Sequence, residues 1–191
     1  MAIVEEQGSG TLQTEKETAT AEQSTSEEKS SGGVAFLRIV LGLVVLSVWF
    51  ENVTADPNFY SAEGLRGFFD WAFLSEEEGG NGGTFTFIGS LFDAIDDAGL
   101  LGLVGFAQTI MEFLIGIALV FGVATRLFSL LATAFFVGLA FTFFGGEEWF
   151  GSYILLIGAA VTVFFSWGGR TFGVDRAIAA ARGDSPGKLI W

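Results

Sequence analysis

Arg38 and Glu112 are the ionisable residues that fall inside the long apolar runs of this 191-residue chain. Such residues are rare in apolar surroundings, because a charge taken out of water is costly unless it is paired or hydrogen-bonded. Gln108 precedes Glu112 by four residues, so on a helix the two share a face, and Gly105 and Gly116 extend that face with small residues. Arg38 stands about one turn inside the start of its run, and Glu112 near the middle of its own. Residue counting separates the two charges by roughly 10 Å along the helix axis. Three arrangements fit this spacing. Arg38 and Glu112 could form a buried ion pair that fixes helix packing. Arg38 could instead extend its stem to the interface, leaving a protonated Glu112 held by Gln108 or a neighbouring hydroxyl. Or Glu112 and its polar neighbours could line a cavity for a quinone head group, a lipid or a proton path.

Other chemistries are excluded by residue type. The chain has no cysteine and no histidine, which removes disulfides, thiol relays, Cys/His zinc sites, His-ligated haem and a Ser-His-Asp triad. No Gly-rich phosphate loop, metal-ligand spacing or nucleophile–base pair appears, so no catalytic residue, metal or covalently bound cofactor is expected. A formal charge of −13 and a pI near 4.2 lack the basic face that nucleic-acid binding requires.

The elements that must position these residues are apolar helices. Apolar side chains make up 51% of the chain and charged ones only 16%, against about 25% charged in soluble domains. Four apolar runs occupy 34–50, 100–123, 127–144 and 151–167. At 1.5 Å per residue they span roughly 25–36 Å, which brackets a ~30 Å hydrocarbon core. None shows the polar face of a soluble helix. Trp149, Tyr153 and Trp167 stand where interfacial aromatics belong. The expected fold is therefore all-α, an integral membrane four-helix bundle over 34–170 with an extended external loop at 51–99. On the fourth helix Gly158, Thr162 and Ser166 recur every four residues, and the third carries Ser129 and Thr133; close helix approach and interhelical hydrogen bonds are expected there.

Orientation follows from Lys and Arg. Lys16, Lys29, Arg38, Arg126, Arg170, Arg176, Arg182 and Lys188 fall on one side, and Arg66 alone on the other. The positive-inside rule places both termini in the cytoplasm of a multi-pass cell-membrane protein. Residues 1–33, with seven glutamates against two lysines, read as a solvated acidic tail with no signal-peptide pattern. The loop at 51–99 carries ten acidic residues and one basic one. Its stretch 65–74 reads as a short helix on the interface, and 85–95 as a second amphipathic piece. Together they form a cap over the bundle or a docking face for an external subunit. Asn52-Val53-Thr54 fits a glycosylation sequon but abuts the membrane. Residues 171–191 read as a cytoplasmic juxtamembrane segment, with a short helix near 174–182, Asp175 in its first turn and Arg176 and Arg182 toward anionic headgroups. Carboxylates in excess of lysines suit a protein working at high salt, as in a halophilic archaeon.

The order of several short motifs resembles the DoxX/DoxD family of four-helix membrane proteins across about residues 34–180. They are Leu37-Arg38-Ile39-Val40-Leu41-Gly42 and Trp49-Phe50-Glu51-Asn52 at the two ends of the first helix, and Glu112-Phe113-Leu114-Ile115-Gly116 in the second. Phe121-Gly122-Val123-Ala124-Thr125-Arg126 and Gly168-Gly169-Arg170 follow. The long external loop is more like the DoxD branch, the small membrane subunit of thiosulfate:quinone oxidoreductase. The resemblance implies an accessory or quinone-interacting subunit of a membrane oxidoreductase complex, with quinone as the cofactor class. Its implied partners are a second membrane or soluble subunit, or another copy of the chain. By position it makes Arg38 and Glu112 the intramembrane charges, Glu51 the polar end of the first helix and Arg126 the basic residue after the second. The other reading is a structural or assembly protein that packs beside a larger complex and binds only lipid.

Overall fold

The first apolar run becomes α1, Gly32–Thr54. It outruns the apolar stretch at both ends, because backbone hydrogen bonding continues through Glu51–Thr54 where apolarity has stopped. Pro57 ends it by disfavouring helical geometry at the residue before. The structure, a computed structural model, describes residues 32–82, 85–146, 150–166 and 172–182. Most of the acidic tail, the Glu147–Glu148 turn with Trp149, and Trp167, Gly168-Gly169-Arg170 and Lys188 lie outside the described residues. The other helices are α2 (Ala62–Phe73), α3 (Thr86–Asp97), α4 (Leu101–Phe121), α5 (Thr125–Thr142), α6 (Phe150–Phe165) and α7 (Val174–Arg182), with one 3-10 turn at Glu76–Glu78. No strand occurs among the described residues.

Three of these helices, α1, α4 and α5, are long and apolar enough to cross a membrane; α6, with 16 residues, is shorter. Their outer faces are apolar, unlike those of a soluble protein. Large apolar side chains stand exposed along the outer faces: Phe36, Leu43 and Phe50 on α1, Leu103, Phe106 and Leu114 on α4. Arg38, Glu112, Thr125 and Ser129 are inside. An exposed apolar area of this extent calls for lipid rather than water. One buried cluster draws Leu41 and Val45 from α1, Ile115 and Leu119 from α4, Ala132 and Phe136 from α5, and Ala160 from α6.

α1 runs antiparallel to α4 but stops opposite its middle, where Asn52 meets Glu112. Beyond that point the chain itself fills the space. The Phe59 carbonyl lies so close to Gly105 that a Cβ there would have no room, and Ala62 lies near Gly102. α2 then begins at Ser61, whose hydroxyl accepts the Gly64 N–H at 3.0 Å, a cap of the kind that contributes about 1 kcal/mol. Leu65 and Ala72 of α2 are fully buried. Phe68 and Ala72 pack with Ala140, Phe143 and Tyr153 at the ends of α5 and α6. The apolar face of α2, expected on the lipid interface, is thus largely spent on the protein.

α3 lies beside α2. Phe92 stacks on Phe69, and Arg66 forms a two-pronged ion pair with Asp96, its Nε donating to Oδ2 at 2.6 Å and its Nη2 to Oδ1. The Arg66 hydrogen bond holds the Asp96 carboxyl below its ordinary range, and the Asp96 hydrogen bond raises Arg66. Because the folded value of Asp96 is depressed, the contribution to α2–α3 docking is complete above the usual aspartate pKa. It disappears as pH falls through the lowered value. Both groups are solvent-accessible, so salt should screen the pair as well. Amide hydrogen exchange in α3 is expected to speed up on acidification and on adding salt, and Arg66→Gln should abolish both dependences. Unchanged dependences in that variant would show that the ion pair does not hold α3.

Candidate functional site

The antiparallel pairing of α1 with α4 places the two charges of the apolar runs at different levels. Arg38 lies against Gly122, at the end of α4, while Asn52 reaches Glu112 near its middle. Arg38 and Asn52 are about 21 Å apart along α1. Arg38 and Glu112 therefore do not pair, and each takes other partners.

At the Glu112 level the carboxylate is 1% exposed. Gln108 Nε2 donates to Oε1 at 3.0 Å from one turn earlier, and Asn52 Nδ2 donates to Oε2 at 3.0 Å from α1. Each oxygen thus holds an amide donor, one from its own helix and one from the neighbour. Close helix approach makes this reach possible. A Cβ at Gly42 would stand 2.8 Å from the Val120 nitrogen and 2.9 Å from the Gly116 carbonyl. Trp49 packs on Phe113, ring centroids 4.9 Å apart, between the glycine contact and the amide cluster.

At the Arg38 level the organisation differs. Arg38 is 0% exposed and its Nη2 donates to the Phe172 carbonyl. Asp175 of α7 is 3% exposed and serves the turn between α4 and α5. Its Oδ1 accepts the Ala124 N–H at 2.7 Å and its Oδ2 the Thr125 N–H at 2.8 Å. In return its own N–H donates to the Gly122 carbonyl at 2.9 Å. The local sequence explains the need. Gly122 closes α4 in the left-handed conformation, with φ 68°, and Ala124 follows at φ 45°. Ala124 occupies the N-cap of α5 and has no side-chain acceptor, so the first N–H groups of α5 would be left unsatisfied. Asp175 caps them from fifty residues away. It also attracts the Arg38 guanidinium, so α1, α4, α5 and α7 converge at one point.

No family model matches this chain, and no curated protein or solved structure does.

Of the residues singled out in the sequence, Gln108 and Glu112 come together and Arg38 stands apart. Glu51 is exposed on α1. Arg126 places its guanidinium carbon 4.8 Å above the Phe164 ring, joining α5 to α6. Thr162 donates to the Gly158 carbonyl at 2.7 Å within its own helix. Thr133 and Thr142 likewise bond carbonyls four residues back, and Ser129 bonds the Arg126 carbonyl. The small hydroxyls are thus satisfied within their helices rather than across them, because a carbonyl one turn back is reachable without any partner.

Two residues emerge from the structure alone. Asn52 resembles the head of a glycosylation sequon, yet it supplies the interhelical donor. Asp175 resembles a first-turn acid of its own helix, yet it caps another. A signal for the second was present: a helix start reading Gly-Val-Ala-Thr offers no capping acceptor at Ala124, so one must come from elsewhere. For Asn52 the only signal was an amide closing an apolar run when another run carries a carboxylate. No group of three or more metal-ligating side chains occurs among the described residues.

Proposed function

We propose that this chain is a DoxX/DoxD-like multi-pass membrane protein, an accessory subunit of a membrane oxidoreductase complex whose intramembrane polar groups hold its helices together. In this reading α1, α4, α5 and α6 are four crossings of one bundle. Both termini and α7 lie on the cytoplasmic side with eight of the nine basic residues, and α2 and α3 lie outside. The observation that carries its packing role is the state of Glu112: sealed from solvent, with both carboxylate oxygens occupied by the chain's own amides. A carboxylate so engaged fixes the register of α1 on α4.

Glu112→Gln keeps the shape but can no longer accept at both oxygens from both amides. With interhelical hydrogen bonds in membranes contributing about 0.6–1.7 kcal/mol, the purified variant in detergent is expected to melt a few degrees lower. A melting temperature equal to wild type would remove the packing role.

A second reading has one observation in its favour. The Asn52 and Gln108 side chains are half-buried, and among the described residues their amide oxygens accept no hydrogen bond. Together with Glu112 they form a donor–acceptor set that a quinone head group could use. Adding a soluble quinone analogue distinguishes the two, because a ligand that binds the native state raises the melting temperature. No shift is expected if the cluster only packs helices. A rise that Glu112→Gln abolishes would establish the quinone reading in its place.

A further inference from the structure

α3 divides its surface three ways. Phe92 and Asp96 face α2, where they meet Phe69 and Arg66. Asp93 and Asp97, four residues apart, are exposed on one face. Phe87 and Leu91, also four residues apart, form another, roughly 120° round the axis at 100° per residue. These two are 60% and 55% exposed. A lone exposed apolar residue needs no explanation, but an i, i+4 pair set about 120° from an acidic pair makes an exposed amphipathic face.

The surroundings indicate what covers it. Just before α3, Phe85 packs edge-on against Phe141, with centroids 5.3 Å apart, and tilted against Phe144 at 5.2 Å. Phe144 in turn meets Phe150 at 5.2 Å. These rings form an aromatic band at the adjoining ends of α5 and α6. Phe141 and Phe144 are themselves exposed, as interfacial rings on a membrane protein are. Just after α3, the chain turns at Gly99 into Leu100 and Leu103, both exposed, at the start of α4. Both ends of α3 are therefore tied to the level at which apolar helices leave the hydrocarbon. Its bare apolar face continues their outer surface.

We infer that α3 lies along the membrane interface, with Phe87 and Leu91 at the boundary of headgroups and acyl chains and Asp93 and Asp97 in water. The occupant of this face is the lipid surface. The inference rests on the membrane-spanning reading of α4 and α5, and it assigns to α3 the interfacial place that the sequence suggested for α2.

The absence of native cysteine makes the test direct. Single variants Phe87→Cys, Leu91→Cys and Asp93→Cys, with Leu114→Cys on the outer face of α4 as a reference, are labelled with an environment-sensitive fluorophore. The full chain is then reconstituted in phosphatidylcholine vesicles. Brominated phosphatidylcholine is expected to quench the labels at 87, 91 and 114, and aqueous iodide the label at 93 alone. Iodide quenching at 87 and 91, with 114 still quenched by lipid, would overturn the placement of α3 and leave the membrane reading intact. Shielding of 87 and 91 from both quenchers would overturn it too, by showing a protein partner on that face. Iodide quenching at 114 would instead overturn the membrane reading itself.

Discussion

Asp175→Ala is expected to cost about 3 kcal/mol, because it strands two buried backbone donors at the start of α5. Two backbone N–H groups, those of Ala124 and Thr125, lose a charged acceptor at 2.7 and 2.8 Å. Hydrogen bonds to charged groups contribute about 1.5–3 kcal/mol each. The site is nearly closed to solvent, so water does not readily take the place of the carboxylate. Arg38, fully buried beside it, also loses the attraction of a negative charge. Thermal unfolding of the purified protein in detergent would measure the loss. Asp175→Asn retains one acceptor and should recover about half of it, while Glu51→Ala, on an exposed face, should be neutral. If Asp175→Ala melts with the wild type, the cap is not what holds α7 in place.

Gly42→Ala should cost about 1–3 kcal/mol by overpacking. The added methyl would meet the Val120 nitrogen at 2.8 Å and the Gly116 carbonyl at 2.9 Å. Both are backbone atoms, so neither can rotate aside, and α1 must move away from α4. That movement also stretches the Asn52–Glu112 bond and loosens Leu41 and Val45 from Ile115 and Leu119. Gly67→Ala provides the opposite sign. A Cβ at Gly67 of α2 meets nothing within 4 Å, so the better helix former should gain about 0.5–1 kcal/mol. Equal melting shifts for the two variants would mean that helix propensity, and not close approach, governs position 42.

The contrast between these sites shows what a linear reading can hold. Apolar runs announce helices because a long stretch without polar side chains has few other ways to satisfy its backbone in lipid. They do not announce where the helices end. α1 continues past Phe50 through Glu51–Thr54, since polarity marks the edge of an apolar environment and Pro57 marks the limit of helical hydrogen bonding. Within the candidate site, Gln108 and Glu112 were legible together because one turn of one helix joins them. Asn52 and Asp175 were not, because the contacts they make depend on how α1 and α7 lie against α4. Arg38 and Glu112, the two most conspicuous side chains in the sequence, take separate partners. Antiparallel packing sets Arg38 against Gly122 and leaves Asn52 for Glu112.

The far-away cap at Ala124 also has a bearing on biogenesis. A ribosome releases Gly122–Thr125 some fifty residues before it releases the carboxylate that completes that turn. Until then the bend between α4 and α5 lacks its carboxylate, and nascent α1 has Arg38 without its Phe172 acceptor. The turn between α4 and α5 is thus completed only once α7 has been made.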